Sequence, residues 1–451
     1  MLKKIKNNIF LLFLIILSIV CFWRWIYYPV LTYGDWMFHF SNSISEWLSY
    51  PLIWLTSTAL GEINIGLSEW PFFFIYGVFG FFHLNSPATD KILFMFPSVL
   101  LAALGGFFLV RKVTRSNVGA FIGSLVFTYN TYFILGRTGH LTLMTAFAFA
   151  PLALLFFIKT LEEKRLNLAI FTGLLFFVMS FYEIRAFYIF VWVCFFYFLW
   201  HTFIIDKLSW REFLKNIIFA FIPIALVFLL NLYWIIGLSK LGVISDNALF
   251  SRGLFGNSYM NLIESLTLFH PYWTGGKYFA FIVQPILLYF FLIPIFAFFG
   301  LWLKRKDKLI LFFSFISFLG ILLAKQVSPL FTNLYPWLYR YLPGFNAFRE
   351  ASKFYFLIAL GYSVLIGSFV AWMWKNWKKN RRQIYLKYVL TILIAGIFLW
   401  NTKPPYTELL YKLFPFPPSY KYAVDTPHSH TPQALLYQYQ FFSTNQFYLI
   451  P

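Results

Sequence analysis

The sequence predicts an all-α polytopic membrane protein of about eleven transmembrane helices, with its N-terminus inside and its C-terminus outside. A long first outer loop carries interfacial helices. Three observations predict this. Of the 451 residues, 60% are hydrophobic and only 12% charged, against ~25% charged in ordinary soluble domains. The apolar residues gather in runs about long enough to cross ~30 Å of hydrocarbon. The basic residues fall in short clusters between alternate runs, as cytoplasmic loops do. A net charge of +20 would suit nucleic acid, but that clustering between membrane-length runs excludes it. Aromatic residues make up 24% of the chain, which suits membrane interfaces. Cys21 and Cys194 both lie in apolar runs, so neither a disulfide framework nor a Cys-based metal site is on offer.

Ile9 to Trp23 follows Lys3, Lys4 and Lys6 much as in a signal peptide, but no small-residue cleavage site comes next. The chain runs on as Trp23-Arg24-Trp25-Ile26-Tyr27-Tyr28, so this is read as an uncleaved first span with an aromatic interfacial end. Further spans are expected at 92–110, 118–135, 141–158, 166–182, 186–205, 217–236, 281–303, 309–325, 354–374 and 384–400. Trp70 to Leu84 is also apolar, but counting it as a span would put Arg111, Lys112 and Arg115 outside and invert everything downstream. It is therefore expected to be an interfacial or re-entrant helix. Pro97, Pro151, Pro223 and Pro294 are expected to kink their helices.

With the N-terminus inside, 22 of the 36 Lys and Arg fall in six short inner stretches. The inner loops, about 5 to 11 residues long, are too short for a nucleotide-binding domain and hold no Walker-type or Rossmann glycine pattern. The long segments 29–91, 237–280, 326–353 and 401–451 all fall outside. Chemistry is thus expected on the outer face, where nucleotide sugars and ATP are generally absent. A substrate there must arrive activated, and a lipid-linked phosphate is the natural carrier. An ion-coupled transporter should hold ionisable groups near mid-membrane, whereas the spans offer neutral Asn130, Asn231 and Gln284.

Several residues stand out along the outer face. Asp35, in Tyr33-Gly34-Asp35-Trp36-Met37-Phe38-His39, sits close behind the first span among aromatics. A carboxylate there can act as general base or hold a metal, or simply cap the following helix. His39 lies on the same face if helix has begun. Glu46, Glu62 and Glu69 match no metal spacing and read as mostly solvated. The hairpin Gly136-Arg137-Thr138-Gly139-His140 lets Arg137 and His140 hold a phosphate oxygen, or is a plain polar turn. Glu183 and Arg185 stand between two spans with almost no loop, where ionisable groups are costly unless paired or functional. The strongest pattern is Phe345-Asn346-Ala347-Phe348-Arg349-Glu350-Ala351-Ser352-Lys353-Phe354. If helical, it stacks Arg349 and Lys353 at i and i+4 as a phosphate clamp, or as a snorkelling anchor.

The N-in first span, the long first outer loop opening with a membrane-proximal Asp and the eleven or so spans resemble the GT-C superfamily of polyprenyl-phosphate-sugar-dependent glycosyltransferases. More narrowly, Phe127-Thr128-Tyr129-Asn130-Thr131-Tyr132 leading to GRTGHL, the run Ala148 to Leu154 and FREASKF at 348–354 resemble the YfhO-like and arabinofuranosyltransferase-like membrane proteins of prokaryotes. The resemblance implies that Asp35 is the catalytic base. FREASKF departs from it by Ala351 where many relatives have Pro. No Asp-x-Asp occurs in the first loop, so the sequence names no cofactor and leaves a divalent metal open.

The expectation is then a transmembrane domain over 1–403 with its first outer loop at 29–91, followed by an external tail over 404–451. In that tail Phe447 to Pro451 reads like the opening strand of an outer domain. The enzyme would move a sugar from a polyprenyl-phosphate donor to a glycan, lipid or protein acceptor at the outer face of a prokaryotic cytoplasmic membrane, inverting the anomeric centre. Asp35 would be the base. Arg349, Lys353, Glu350, Arg185, Glu183, Arg137, His140 and His39 would contact the lipid phosphate or the acceptor. A lipid or polysaccharide transporter, or a non-catalytic membrane assembly subunit, would share this outline without the chemistry.

Overall fold

The computed structural model describes residues 2–27, 45, 47–48, 50–55, 62–84, 86–137, 139–206, 209–240, 253–255, 260–271, 286–378, 380–403 and 406. Asp35, His39, Glu46, Gln284 and the 447–451 stretch lie outside these residues. The principal helices are α1 (Leu2–Cys21), α2 (Trp70–Phe81), α3 (Phe96–Thr114), α4 (Asn117–Thr128), α5 (Thr131–Gly136), α6 (Leu141–Glu163), α7 (Leu166–Tyr182), α8 (Ile184–Trp200), α9 (Trp210–Leu230), α10 (Leu292–Leu303), α11 (Lys308–Ala324), α12 (Tyr355–Asn376) and α13 (Arg381–Trp400). The strand content described is one antiparallel pair, Trp54–Leu55 with Glu62–Ile63, in which Trp54 faces Ile63.

The chain is a multi-pass helical membrane protein. Among the described residues, six helical stretches are long and apolar enough to cross a bilayer: 88–114, 141–163, 184–205, 210–230, 351–376 and 381–400. Shorter apolar helices occupy Ile9–Cys21, Asn117–Thr128, Leu166–Tyr182, Leu288–Leu303 and Lys308–Ala324. All fall on segments that the hydropathy pattern marks out. The helix at Trp70–Phe81 has 12 residues, ~18 Å at 1.5 Å per residue.

Helix α12 is buried along its length and forms the axis of the bundle, packed on α4, α10 and α11. Lipid provides no hydrophobic drive between helices, so close backbone approach does the work. Gly119 of α4 and Gly367 of α12 allow it: a Cβ on Gly119 would stand 2.5 Å from Gly367 O. At the periphery, Phe221, Phe228 and Leu229 on α9 and Ile392 on α13 are exposed, the surface a bilayer solvates.

Two expected spans are broken, both at an Asn. The stretch 118–135 is not one helix: α4 ends at Thr128 and Asn130 starts α5. Asn130 Oδ1 accepts from Phe133 N, while Nδ2 donates to Val126 O and Phe127 O. One side chain thus caps both ends of the joint. The stretch 217–236 likewise breaks at Asn231, whose Nδ2 donates to Ser180 Oγ and Val227 O. The proline expectations divide. Pro151 and Pro223 lie inside helices. Pro97 and Pro294 stand inside helical stretches that run on through them, each just after a change of helix type: π to α at Pro97, 3₁₀ to α at Pro294. Pro97 follows a π-helical turn at Lys91–Met95, and Tyr182 Oη donates to Leu93 O, the carbonyl four residues before Pro97. Trp25, expected at the membrane interface, is fully buried against Phe22 and Phe96.

Candidate functional site

Helix ends at one side of the bundle bring together Glu69, His140, Glu183, Arg185, His270, Glu350 and Lys353, whose charges act on one another. Each is placed by a local device. Glu183 sits in extended backbone between α7 and α8 and caps α8 by accepting from Arg185 N at 3.2 Å. Its two carboxylate oxygens accept from Arg185 Nε and Nη2, each at 2.8 Å, the two-pronged geometry in which arginine binds carboxylate most strongly. Burial works to raise the Glu183 carboxyl, but the Arg185 bonds and charge, helped by Lys353, hold it below the usual range.

The segment Phe348–Glu350 is not helical, so Arg349 and Lys353 do not stack one turn apart as expected. Long-range partners pull the backbone straight. Phe255 N donates to Arg349 O at 2.9 Å, and Phe255 pairs with Glu350 as a parallel bridge. Buried Gln326 donates through Nε2 to both Arg349 O and Phe255 O, and Tyr335 Oη donates to Phe348 O at 2.7 Å. Glu350 is therefore extended (φ −107°, ψ 125°), and Lys353 belongs to a 3₁₀ turn at Ala351–Phe354. Lys353 Nζ lies 3.6 Å from Glu350 Oε2, with both side chains largely buried. Burial works to raise Glu350, and Lys353, Ser352 and the two histidines more than offset it, keeping the carboxyl below its usual range.

His270 escaped the sequence reading, because a lone His before Pro271 in a long loop carries no pattern. In the fold its backbone N donates to Thr131 Oγ1 at 2.8 Å, and Tyr355 Oη donates to the preceding Phe269 O at 3.1 Å. Its ring packs against Tyr132 and Tyr355, with centroids 5.3 and 5.1 Å away. Burial pushes the imidazole down to about 4; Glu350 opposes this, and His140 and Lys353 add to it. His270 is thus neutral at pH 7. Glu69, read as solvated, is instead half-buried. Burial first, then Glu183, push its carboxyl up to about 7, against the pull of Arg185.

The remaining expectations sort plainly. His140 is half-buried at the start of α6 and acts on both Glu350 and His270. Arg137 is fully buried and its guanidinium binds Ser98 Oγ, Ser98 O and Thr128 O, which makes it a staple between α3 and the α4–α5 joint. Asp35 and His39 lie outside the described residues. Among the described residues, no group of three or more His, Cys, Asp and Glu is disposed to hold a metal ion.

The cluster therefore offers two ionised carboxylates, a carboxyl that titrates near neutrality, the two cations Arg185 and Lys353, and the neutral imidazole of His270. Such a set can bind a polar ligand in several orientations and exchange a proton near pH 7. No protein-family model and no curated protein matches the chain. Among solved structures, it is similar to the arabinofuranosyltransferase AftD from Mycobacteria, with a TM-score of 0.56 and 12% identity. The likeness covers 91% of this chain but 27% of that one, so the chain spans about a quarter of the length of its structural neighbour. At that identity the likeness is one of fold alone.

Proposed function

We propose that this chain is a membrane glycosyltransferase that takes a sugar from a polyprenyl-phosphate donor and passes it to a glycan, lipid or protein acceptor. The observation that carries the reading is the fold shared with an arabinofuranosyltransferase over 91% of the chain. The polar cluster at one end of the bundle supports it. In this reading the helices cross eleven times with the N-terminus inside, and the cluster faces outward from the cytoplasmic membrane of a prokaryote. Asp35 takes the proton of the acceptor hydroxyl, which attacks the anomeric carbon in line and inverts it. Arg349 and Lys353, with Arg185 beside them, receive the charge that grows on the departing lipid phosphate. The Lys353–Glu350 contact of 3.6 Å is long for a hydrogen bond, which leaves the ammonium able to turn to a phosphate oxygen.

The test is sugar transfer by purified protein supplied with polyprenyl-phosphate sugars. A transporter or an assembly subunit gives no transfer. Asp35→Asn keeps size and capping but accepts no proton, so turnover falls about 10²–10⁴-fold while donor affinity holds. Near-normal turnover in correctly inserted Asp35→Asn removes Asp35 as the base and turns attention to Glu69.

A further inference from the structure

We infer that the basic turn between α10 and α11 binds one anionic phospholipid, whose phosphate sits among Lys304, Arg305 and Lys306. The turn is fixed by backbone bonds: Lys304 N donates to Leu301 O at 3.2 Å, and Asp307 N donates to Lys304 O at 2.8 Å. Asp307 then starts α11, its Oδ1 accepting from Leu309 N and Ile310 N. Just beyond it, Lys308 Nζ donates to Ile205 O at 2.7 Å, and Trp200 Nε1 donates to Lys308 O at 2.8 Å. These bonds tie the turn to the end of the 184–205 stretch. Helix α11 runs from here to Ala324, close to the Gln326 that holds Arg349 O. The turn therefore stands at the opposite end of the bundle from the polar cluster, which in the topology proposed above is the inner leaflet.

Three features of the turn fit that ligand. A cavity of about 580 Å³ is lined by Trp302 to Asp307, within the size range of small-ligand sites. The cations in it are uncompensated. Other basic residues at this end are paired, Lys112 with Glu162 at 2.6 Å and Arg165 with Glu163 at 3.3 Å. Among the described residues, Lys304, Arg305 and Lys306 make no ion pair, and the adjacent carboxylate of Asp307 is engaged at the start of α11. The third feature is apolar: Ile295, Phe298 and Trp302 are exposed at i, i+3 and i+7 of α10, a stripe that ends at the turn. Acyl chains lie along such a stripe, the Trp302 ring occupies the headgroup boundary, and the phosphate reaches the cations just past it. A free phosphate would use the cations and leave the stripe idle, and a zwitterionic lipid would bring its own ammonium among them. The topology rule alone asks for basic residues here, but not for a cavity with an apolar stripe leading into it.

The experiment measures lipid binding to purified full-length protein in a neutral detergent. The probes are short-chain phosphatidylglycerol, phosphatidylcholine with the same chains, and soluble glycerol phosphate. Binding is read from the melting temperature along each titration, and bound lipid is counted by native mass spectrometry. The wild type binds phosphatidylglycerol saturably and roughly tenfold or more tighter than phosphatidylcholine, with glycerol phosphate weaker still. Each cation near a membrane surface contributes roughly fivefold, so the triple variant Lys304→Gln, Arg305→Gln, Lys306→Gln loses about a hundredfold in phosphatidylglycerol affinity. The matched variant Lys378→Gln, Arg381→Gln, Arg382→Gln, exposed between α12 and α13 at the same end of the bundle, stays within about threefold of the wild type. If the first triple variant does not fold, its three single variants are read instead, each losing about fivefold. The inference is overturned if phosphatidylglycerol binds no tighter than phosphatidylcholine. It is equally overturned if both triple variants lose affinity alike, which would mean undirected charge attraction. Glycerol phosphate binding as tightly as phosphatidylglycerol would assign the cations to a free phosphate and overturn the lipid.

Discussion

Removing the Glu183 carboxylate tests whether the Glu183–Arg185 pair is what holds this end of the bundle together. Glu183→Ala deletes three hydrogen bonds at once: two from the Arg185 guanidinium and one from the Arg185 backbone N–H. Buried charge-assisted bonds contribute about 1.5–3 kcal/mol each. The Glu183 side chain is 8% exposed but that of Arg185 is 43% exposed, so the released guanidinium recovers water and roughly half of that sum is regained. Losing the cap of α8 adds about 1 kcal/mol. Counting the two guanidinium bonds at half strength, about 1.5–3 kcal/mol, and the backbone N–H bond once as the cap, Glu183→Ala should cost about 2.5–4 kcal/mol, of which ~2 kcal/mol is coupling between the two side chains. Glu183→Gln keeps an oxygen for the cap and one guanidinium N–H, and should cost about half as much. The assay is unfolding in detergent of Glu183→Ala, Arg185→Ala and the double variant, followed by helical circular dichroism. Effects of the two single variants that add without coupling would refute the reasoning, since they would mean that each side chain acts alone.

Glu69 predicts a pH dependence. Its carboxyl ionises near 4.5 when unfolded and about 7 when folded, so across that window the folded chain holds a proton the unfolded chain has released. Stability is then fullest below about 4.5 and declines as pH rises through 7, a slope that Glu69→Gln should flatten; a slope unaltered by that variant speaks against it. Arg349→Ala and Lys353→Ala should each weaken binding of bare polyprenyl phosphate about ten- to a hundredfold, with Arg349→Lys retaining part; unchanged affinity in both alanine variants means that they only anchor the loop. Reporters fused after Lys4, Lys164 and Lys306 should be cytoplasmic, and those after Ser68, Ser258 and Tyr420 external. An external signal at Lys164 or Lys306 ends the eleven-crossing topology.

What the sequence determined by itself is everything that depends on short-range chemistry. Apolar runs such as 141–163 and 351–376 must satisfy their own backbone in lipid, so they are helices wherever they pack. The closeness of Glu183 and Arg185 needed no fold either, because two residues apart at a helix start they reach each other in any arrangement. The breaks at Asn130 and Asn231 also rest on side chains that bond nearby backbone, but the apolar runs around them read as unbroken spans, and Asn231 is held in addition by distant Ser180. Only the tertiary structure decided the rest. FREASKF looked helical because its own residues allow it, but Phe255 and Gln326, 94 and 23 residues from Arg349, supply backbone partners that draw it out straight. His270 had no meaning until Thr131 and Tyr355 fixed it beside Glu350, and Arg137 lost its apparent role once Ser98 and Thr128 surrounded it. Local pattern states what a segment can do alone. A site assembled from five segments depends on contacts whose partners lie far apart in the chain, and no short window of sequence contains both sides of them.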